Sequence, residues 1–426
     1  MNTLHTFTPK EIPETFDLLV AGGGLAGVMA AIAAAREGSK VVLVEKYGFL
    51  GGMATAGLVN PFMSWGENGK WVDANAGLFR TLRKRIFDLG GNRSPNDGSY
   101  MEEFMKLALD RMVREYPGIK VIFHALVSDV DCADGTVKSV TISTVSGNIK
   151  LRANMYIDAT GNADLSTFAG FEYNLGREED GLCQPMTLCF RLANVDWSRI
   201  NLDKAQALYK QFRVEGKIKN PREDLLVFHM PYEQIMHLNT TRIVGRNPVD
   251  VEDYSEGEFE AREQVYEMFR FMRENVEGME NCQLIMSAPE LGIRESRRIV
   301  GEYEITEDDI VGTKKFDDRI ARGTYEIDIH NPAGSGTYHR RVPDNDYYTV
   351  PYRALIPRGA SNLLVAGRPI SSTHSAHSSF RIMPITSCIG EAAGTAAHFA
   401  AVSDSAVRDV DITKVQNTLT DHGALI

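Results

Sequence analysis

The sequence predicts an α/β fold. An apolar strand, a glycine-rich loop, a small-residue helix and a second apolar strand follow one another between Phe16 and Glu45. Two later apolar segments, Met155-Tyr156-Ile157 and Asn362-Leu363-Leu364-Val365-Ala366, each run into small residues and a glycine. Strands that end this way bring their carboxyl ends up to a ligand in a parallel sheet. The length of 426 residues allows two or three domains, and 43% apolar with 24% charged residues is ordinary globular composition. A disordered chain, a collagen and a coiled-coil rod are excluded.

The first unit is the most informative. Phe16-Asp17-Leu18-Leu19-Val20-Ala21 reads as a buried parallel strand, and Gly22, Gly24 and Gly27 then complete G-x-G-x-x-G. Good helix formers fill 26–36 and Gly38 stops the helix. The strand Val41-Val42-Leu43-Val44 ends on Glu45. In such a Rossmann-like unit the first glycine makes the tight turn, the second admits a pyrophosphate, and the third lets the helix press on the strand. The helix start offers unpaired N–H groups to phosphates, and an acid about 20 residues on can bind ribose hydroxyls. The unit predicts dinucleotide binding without choosing between NAD and FAD. Gly51-Gly52 follows closely; a double glycine lets a loop lie flat against a cofactor, or simply makes a turn.

Segments 121–124 and 137–143 read as strands around a turn at Asp134-Gly135. The strand at 155–157 leads into Asp158-Ala159-Thr160-Gly161, and the one at 362–366 into Gly367-Arg368. A polar run from Ser371 to Ser379 holds His374 and His377. Arg381-Ile382-Met383-Pro384 then opens a helix rich in glycine and alanine. Pro384 suits a first turn. The small residues imply close packing on another backbone, and the helix start can stabilise negative charge.

With 57 acidic against 46 basic residues, the net charge of −11 disfavours nucleic-acid binding. The five cysteines, Cys132, Cys183, Cys189, Cys282 and Cys388, include no C-x-x-C pair, which suits a reducing compartment. The uncharged run 18–35 reads as strand and helix, not as a membrane span, and its glycines and alanines are weakly hydrophobic for one. Acidic residues near the start argue against a signal peptide, so the expected location is cytoplasmic.

Together these motifs resemble the FAD-dependent oxidoreductase family, of the glutathione-reductase-like flavoprotein fold. The resemblance rests on the 21–27 loop, Glu45 with Gly51-Gly52, the 158–161 strand end, the 292–298 segment, Ala366-Gly367-Arg368 and the 381–397 segment. It implies an FAD-binding domain assembled from 15–175 and 345–426, with an α+β substrate domain inserted at 176–344. It implies that Gly22, Gly24, Gly27, Glu45, Gly52, Thr160, Gly161, Gly367 and Arg368 lie near FAD. No second G-x-G-x-x-G and no redox cysteine pair are present, so electrons are expected to pass directly between a substrate and flavin.

The expected activity is hydride transfer between a small organic substrate and flavin. The alternatives are a flavin-binding protein that serves a partner and an NAD-dependent dehydrogenase. His374 and His377 are candidate bases, with structural service as the alternative, and two histidines alone make no metal site. Arg294, Arg297 and Arg298 form a basic cluster in an acidic chain. Arg294 is a candidate anchor for an anionic substrate or the pyrophosphate, against internal pairing of the cluster with Glu295 or Glu302. Arg381, just before the small-residue helix, is a second candidate. The oligomeric state has no signature in the sequence.

Overall fold

Alternating apolar strands and a fully apolar helix dictate the central layer. The computed structural model describes residues 9–63 and 74–426. β1 (Lys10–Ala21), α1 (Leu25–Arg36) and β2 (Val41–Val44) form the expected unit, with Leu18 to Ala21 parallel to Val41 to Val44. β1 starts earlier than its apolar run. Its first residues, Lys10 and Glu11, pair with Ile149 and Lys150 ahead of a register shift between Glu11 and Thr15, where Pro13 has no N–H to give. β3 (Ile119–Ile122) extends the sheet beside β2.

β4 (Ala125–Ala133), β5 (Thr136–Thr144) and β6 (Gly147–Asp158) form an antiparallel meander. Asp134 and Gly135 both take positive φ, +51° and +72°, as the tight β4–β5 turn requires. β6 does double service. Its first half pairs antiparallel with β5, β1 runs parallel to it from Ile149 to Asp158, and its last residues also pair parallel with the late strand Leu363–Val365. The carboxyl ends of β1, β2, β6 and Leu363–Val365 therefore emerge on one edge. Gly22 donates to Val44 O, Ala159 to Ala21 O and Ala366 to Asp158 O, which ties those ends together.

Behind the sheet, α1 is buried from Leu25 to Ala34. It packs on the helix Met383–Ser403, which is nearly as enclosed. A Cβ on Gly390 would stand 2.1 Å from Ala26 O, and one on Gly394 2.0 Å from Ala30 O. The small residues in this helix exist for that approach.

A second core lies in an antiparallel sheet ordered Gln283–Ser287, Phe190–Ala193, Ile235–Leu238, Val227–His229. Helices Leu202–Val214 and Val251–Asn275 contribute Ala205, Tyr209, Val265, Met268 and Met272 to it. The longer helix starts at Asp250, whose carboxylate caps the N–H groups of Glu252 and Asp253. Ile299, Ile305, Ile320 and Ile327 return to the first core. The five cysteines are free, and no described helix is long and apolar enough to cross a membrane. The polar run around His374, to which sequence assigns no element, forms a short helix, His374–Phe380, capped by Thr373.

Helix propensity alone would make Gly394→Ala stabilising by about 1 kcal/mol. The contact with Ala30 O reverses the sign. Chemical denaturation of Gly394→Ala should show a loss of about 1–3 kcal/mol from overpacking; a gain would mean the two helices separate easily.

Candidate functional site

The glycine loop is fixed by contacts no side chain would permit. Gly22 sits at φ +100°, and a Cβ there would lie 2.3 Å from Ala159 O. Gly27 faces Gly22 O, where a Cβ would come to 1.8 Å, so it acts from behind the loop. Gly51 donates to Gly23 O at 2.8 Å, and Gly24 bridges to Gly51. Gly52 then lies on Gly24, leaving two bare backbones side by side. The Glu45 carboxylate accepts from Gly23 N at 2.6 Å and from Tyr47 N at 2.8 Å. Burial raises its pKa against these two donors. Its oxygens keep further lone pairs for a hydroxyl.

These groups open on a cleft of about 1190 Å³, counted to its solvent mouth. Gly22, Gly24, Glu45 and Gly52 line one wall; Thr160, Gly161, Gly367 and Arg368 line another. Asp158, fully buried, shapes the second wall by accepting from Thr160 and Ser166 N–H and hydroxyl groups. Arg368 donates to Gly161 O at 2.9 Å, and its Nη1 is buried without a protein partner. Burial lowers this guanidinium to about 10, so it stays charged at neutral pH.

Arg381 also lines the cleft. It meets Asp328 only loosely, at 3.4 Å to the backbone oxygen and 3.7 Å to the carboxylate, and its Nε has no partner. Beside it begins the Met383–Ser403 helix, with Pro384 in its first turn and no side chain capping it; Met383 and Thr386 face the cleft. An uncapped helix start carries partial positive charge.

The remaining predicted residues do not reach the cleft wall. His374 Nδ1 lies 2.8 Å from the buried carboxylate of Glu295. His377 is buried with Nδ1 unpartnered; burial and then Arg298 and Arg381 hold its pKa far below the usual histidine value. Arg294 is buried behind Ile293, which does line the cleft. The sequence missed Lys46, Tyr47, Asp164 and Glu290, all on the wall. Lys46 reaches Glu290 at 2.6 Å across the two cores. Asp164 is pushed up by burial and by Asp158, and pairs with Arg297 at 3.0 Å. Only their contacts, made far along the chain, mark them.

His237, His330 and His377 are all buried with lowered pKa, His237 to about 3, chiefly through burial. The unfolded chain binds protons below about pH 6.5 that the folded chain refuses. Stability present above that pH is therefore lost as pH falls, by about 1.4 kcal/mol per pH unit for each fully titrating histidine. Urea midpoints should drop between about pH 6.5 and 5, before the raised carboxyls of Glu45 and Asp164 favour the folded form; a flat profile would contradict this.

Comparison with known proteins agrees with this geometry. A family model described as FAD dependent oxidoreductase matches residues 17–419. Over 108 residues the chain is 45% identical to the NADH:acrylate oxidoreductase of Vibrio harveyi; the match takes 24% of this chain and spans 10% of that relative's length. Among solved structures, a geranylgeranyl bacteriochlorophyll reductase-like protein from Thermoplasma acidophilum aligns with a TM-score of 0.51 at 16% identity, covering 96% of this chain and 84% of the other. A p-nitrophenol 4-monooxygenase from Pseudomonas putida aligns at 0.48 and 12% identity, covering 96% and 88%. The first of these shows the shared fold. The family match spans nearly the whole chain, over the strand ends, glycine loop and closing helix that build the cleft, so this protein belongs to the FAD dependent oxidoreductase family, and FAD is its cofactor.

Proposed function

We propose that this enzyme transfers a hydride between a small organic substrate and FAD held in the cleft. The cleft fits a flavin dinucleotide on three counts. The Gly24–Gly52 contact leaves a cradle that any Cβ would fill. The starts of α1 and of Met383–Ser403 carry no side-chain cap. Arg368 keeps a buried donor with no protein acceptor.

Gly22, Gly24 and the start of α1 would hold the pyrophosphate, and Glu45 a ribose hydroxyl. Gly27 would serve by closing the loop from behind, while Gly52, Thr160, Gly161, Gly367 and Arg368 would line the remaining length. Bound there, FAD supplies the two-electron chemistry. The observation that carries the reading is Arg381. It stands on the same wall as the uncapped helix start, weakly engaged by Asp328, where a substrate can take its donors. Desolvated, such donors stabilise developing negative charge far better than water does. His374 orients Glu295, and His377 fills a buried position as a neutral side chain; both act structurally in this reading.

The purified protein should show an oxidised-flavin spectrum, release FAD on denaturation, and bleach anaerobically with its substrate. Gly52→Val would place a side chain where Gly24 Cα stands 2.8 Å from the Cβ position, at φ +55°. That variant should fold, by circular dichroism, and remain colourless. A native protein that takes up no added FAD would overturn the proposal, as would a Gly52→Val variant that holds FAD normally.

A further inference from the structure

Three neighbouring arginines meet three different fates. Arg298 pairs with buried Glu295 and also donates to Ser372 O and Gly176 O. Arg297 pairs with Asp164 on the cleft wall. Arg294, 8% exposed, meets only neutral acceptors: Pro185 O at 2.7 Å and the Asn239 side-chain oxygen at 3.4 Å. No carboxylate of a described residue forms an ion pair with it.

Its surroundings deepen the imbalance. Arg222 is buried with Nη1 unpartnered and its Nε on Asp224 at 2.8 Å. Arg242 is buried on Glu223 at 3.1 Å, His330 Nδ1 at 3.0 Å and two backbone oxygens. Arg381 closes the group on the cleft side. Burial, followed by the fields of Arg381, Arg222 and Arg242, pushes Arg294 down to about 9, which leaves it charged at neutral pH. Four guanidiniums here face three carboxylates, and two of those, Asp224 and Glu223, have side chains 43% and 31% exposed. An uncompensated buried charge is strongly destabilising. A bound anion removes that cost. The surplus of one charge matches a carboxylate better than a doubly charged phosphate.

Resting on the hydride-transfer reading of the cleft, we propose that the substrate bears a carboxylate, that Arg381 on the cleft wall holds it, and that Arg294, buried behind Ile293, adds the surplus positive charge that the carboxylate answers. A guanidinium binds a carboxylate through two parallel N–H donors, so Arg381 fixes orientation while Arg294 adds charge from behind the wall. Neutral molecules of equal size would leave the surplus charge of Arg294 unanswered.

The test uses the FAD-loaded protein with propionate and benzoate, their neutral amides, and inorganic phosphate. Binding is followed both by saturable change in flavin absorption and by thermal midpoint. The carboxylates should bind and the amides should not. Arg294→Gln should keep FAD and weaken carboxylate binding by about 10- to 100-fold, and Arg381→Gln should weaken it also. Equal response to acid and amide, binding by neither carboxylate, or a preference for phosphate would each overturn the assignment. Unweakened carboxylate binding in Arg294→Gln would do the same. Should Arg294→Gln fail to fold, Arg381→Gln and the acid-against-amide comparison on the native protein decide. A native protein without FAD fails the hydride-transfer reading instead, and its thermal response to acid against amide still reports on the anion pocket.

Discussion

The backbone contact between α1 and the Met383–Ser403 helix is the constraint on which the rest depends. Gly390 and Gly394 press on Ala26 O and Ala30 O, and Gly27 presses on Gly22 O. These approaches set how closely α1 lies against β1 on one side and the late helix on the other. Because α1 sits at that depth, its start meets the edge where four strands end. Because the late helix is held against it, a second helix start opens on the same cleft. A methyl group at any of these glycines would meet a carbonyl oxygen, and shifting that oxygen would move the loop and both helix starts together.

Electrostatics then divides the cleft. At the glycine loop the negative group, Glu45, is held by two backbone N–H donors and stiffens the loop while lining the cleft. On the opposite stretch, positive groups collect: Arg368, Arg381 and the uncapped start of Met383–Ser403. Local hydrogen bonds account for much of the first wall. The second carries donors that the folded chain does not answer, which is the usual condition of a surface shaped for something else.

What the sequence disclosed follows the range of the forces involved. From Phe16 onward the β1–α1–β2 unit was legible almost to the residue, because its loop, helix and strands are specified by neighbours in sequence. The choice between NAD and FAD was not in that unit; it came from Thr160-Gly161 and Gly367-Arg368, and the family match agrees. β4 and the early start of β1 carried no clear apolar signal, since half of each faces water. Lys46, Glu290 and Asp164 were invisible as wall residues, for their positions are fixed by partners across the molecule. Among the three clustered arginines, only the fold revealed which one lacks a carboxylate.

The pairing of β6 with Leu363–Val365 bears on the order of events at the ribosome. The glycine loop is made within the first tenth of the chain, yet the strand that completes its sheet and the helix that seats α1 come from the last sixth. The contacts that close the cleft, such as Arg368 to Gly161, Lys46 to Glu290 and Ala366 to Asp158, therefore join residues some two hundred positions apart, and such contacts form slowly. During synthesis α1 waits with an apolar surface on all sides, while the second core, built almost wholly from 186–293, has every strand and helix it needs. The sheet around the glycine loop is begun before the second core and completed after it.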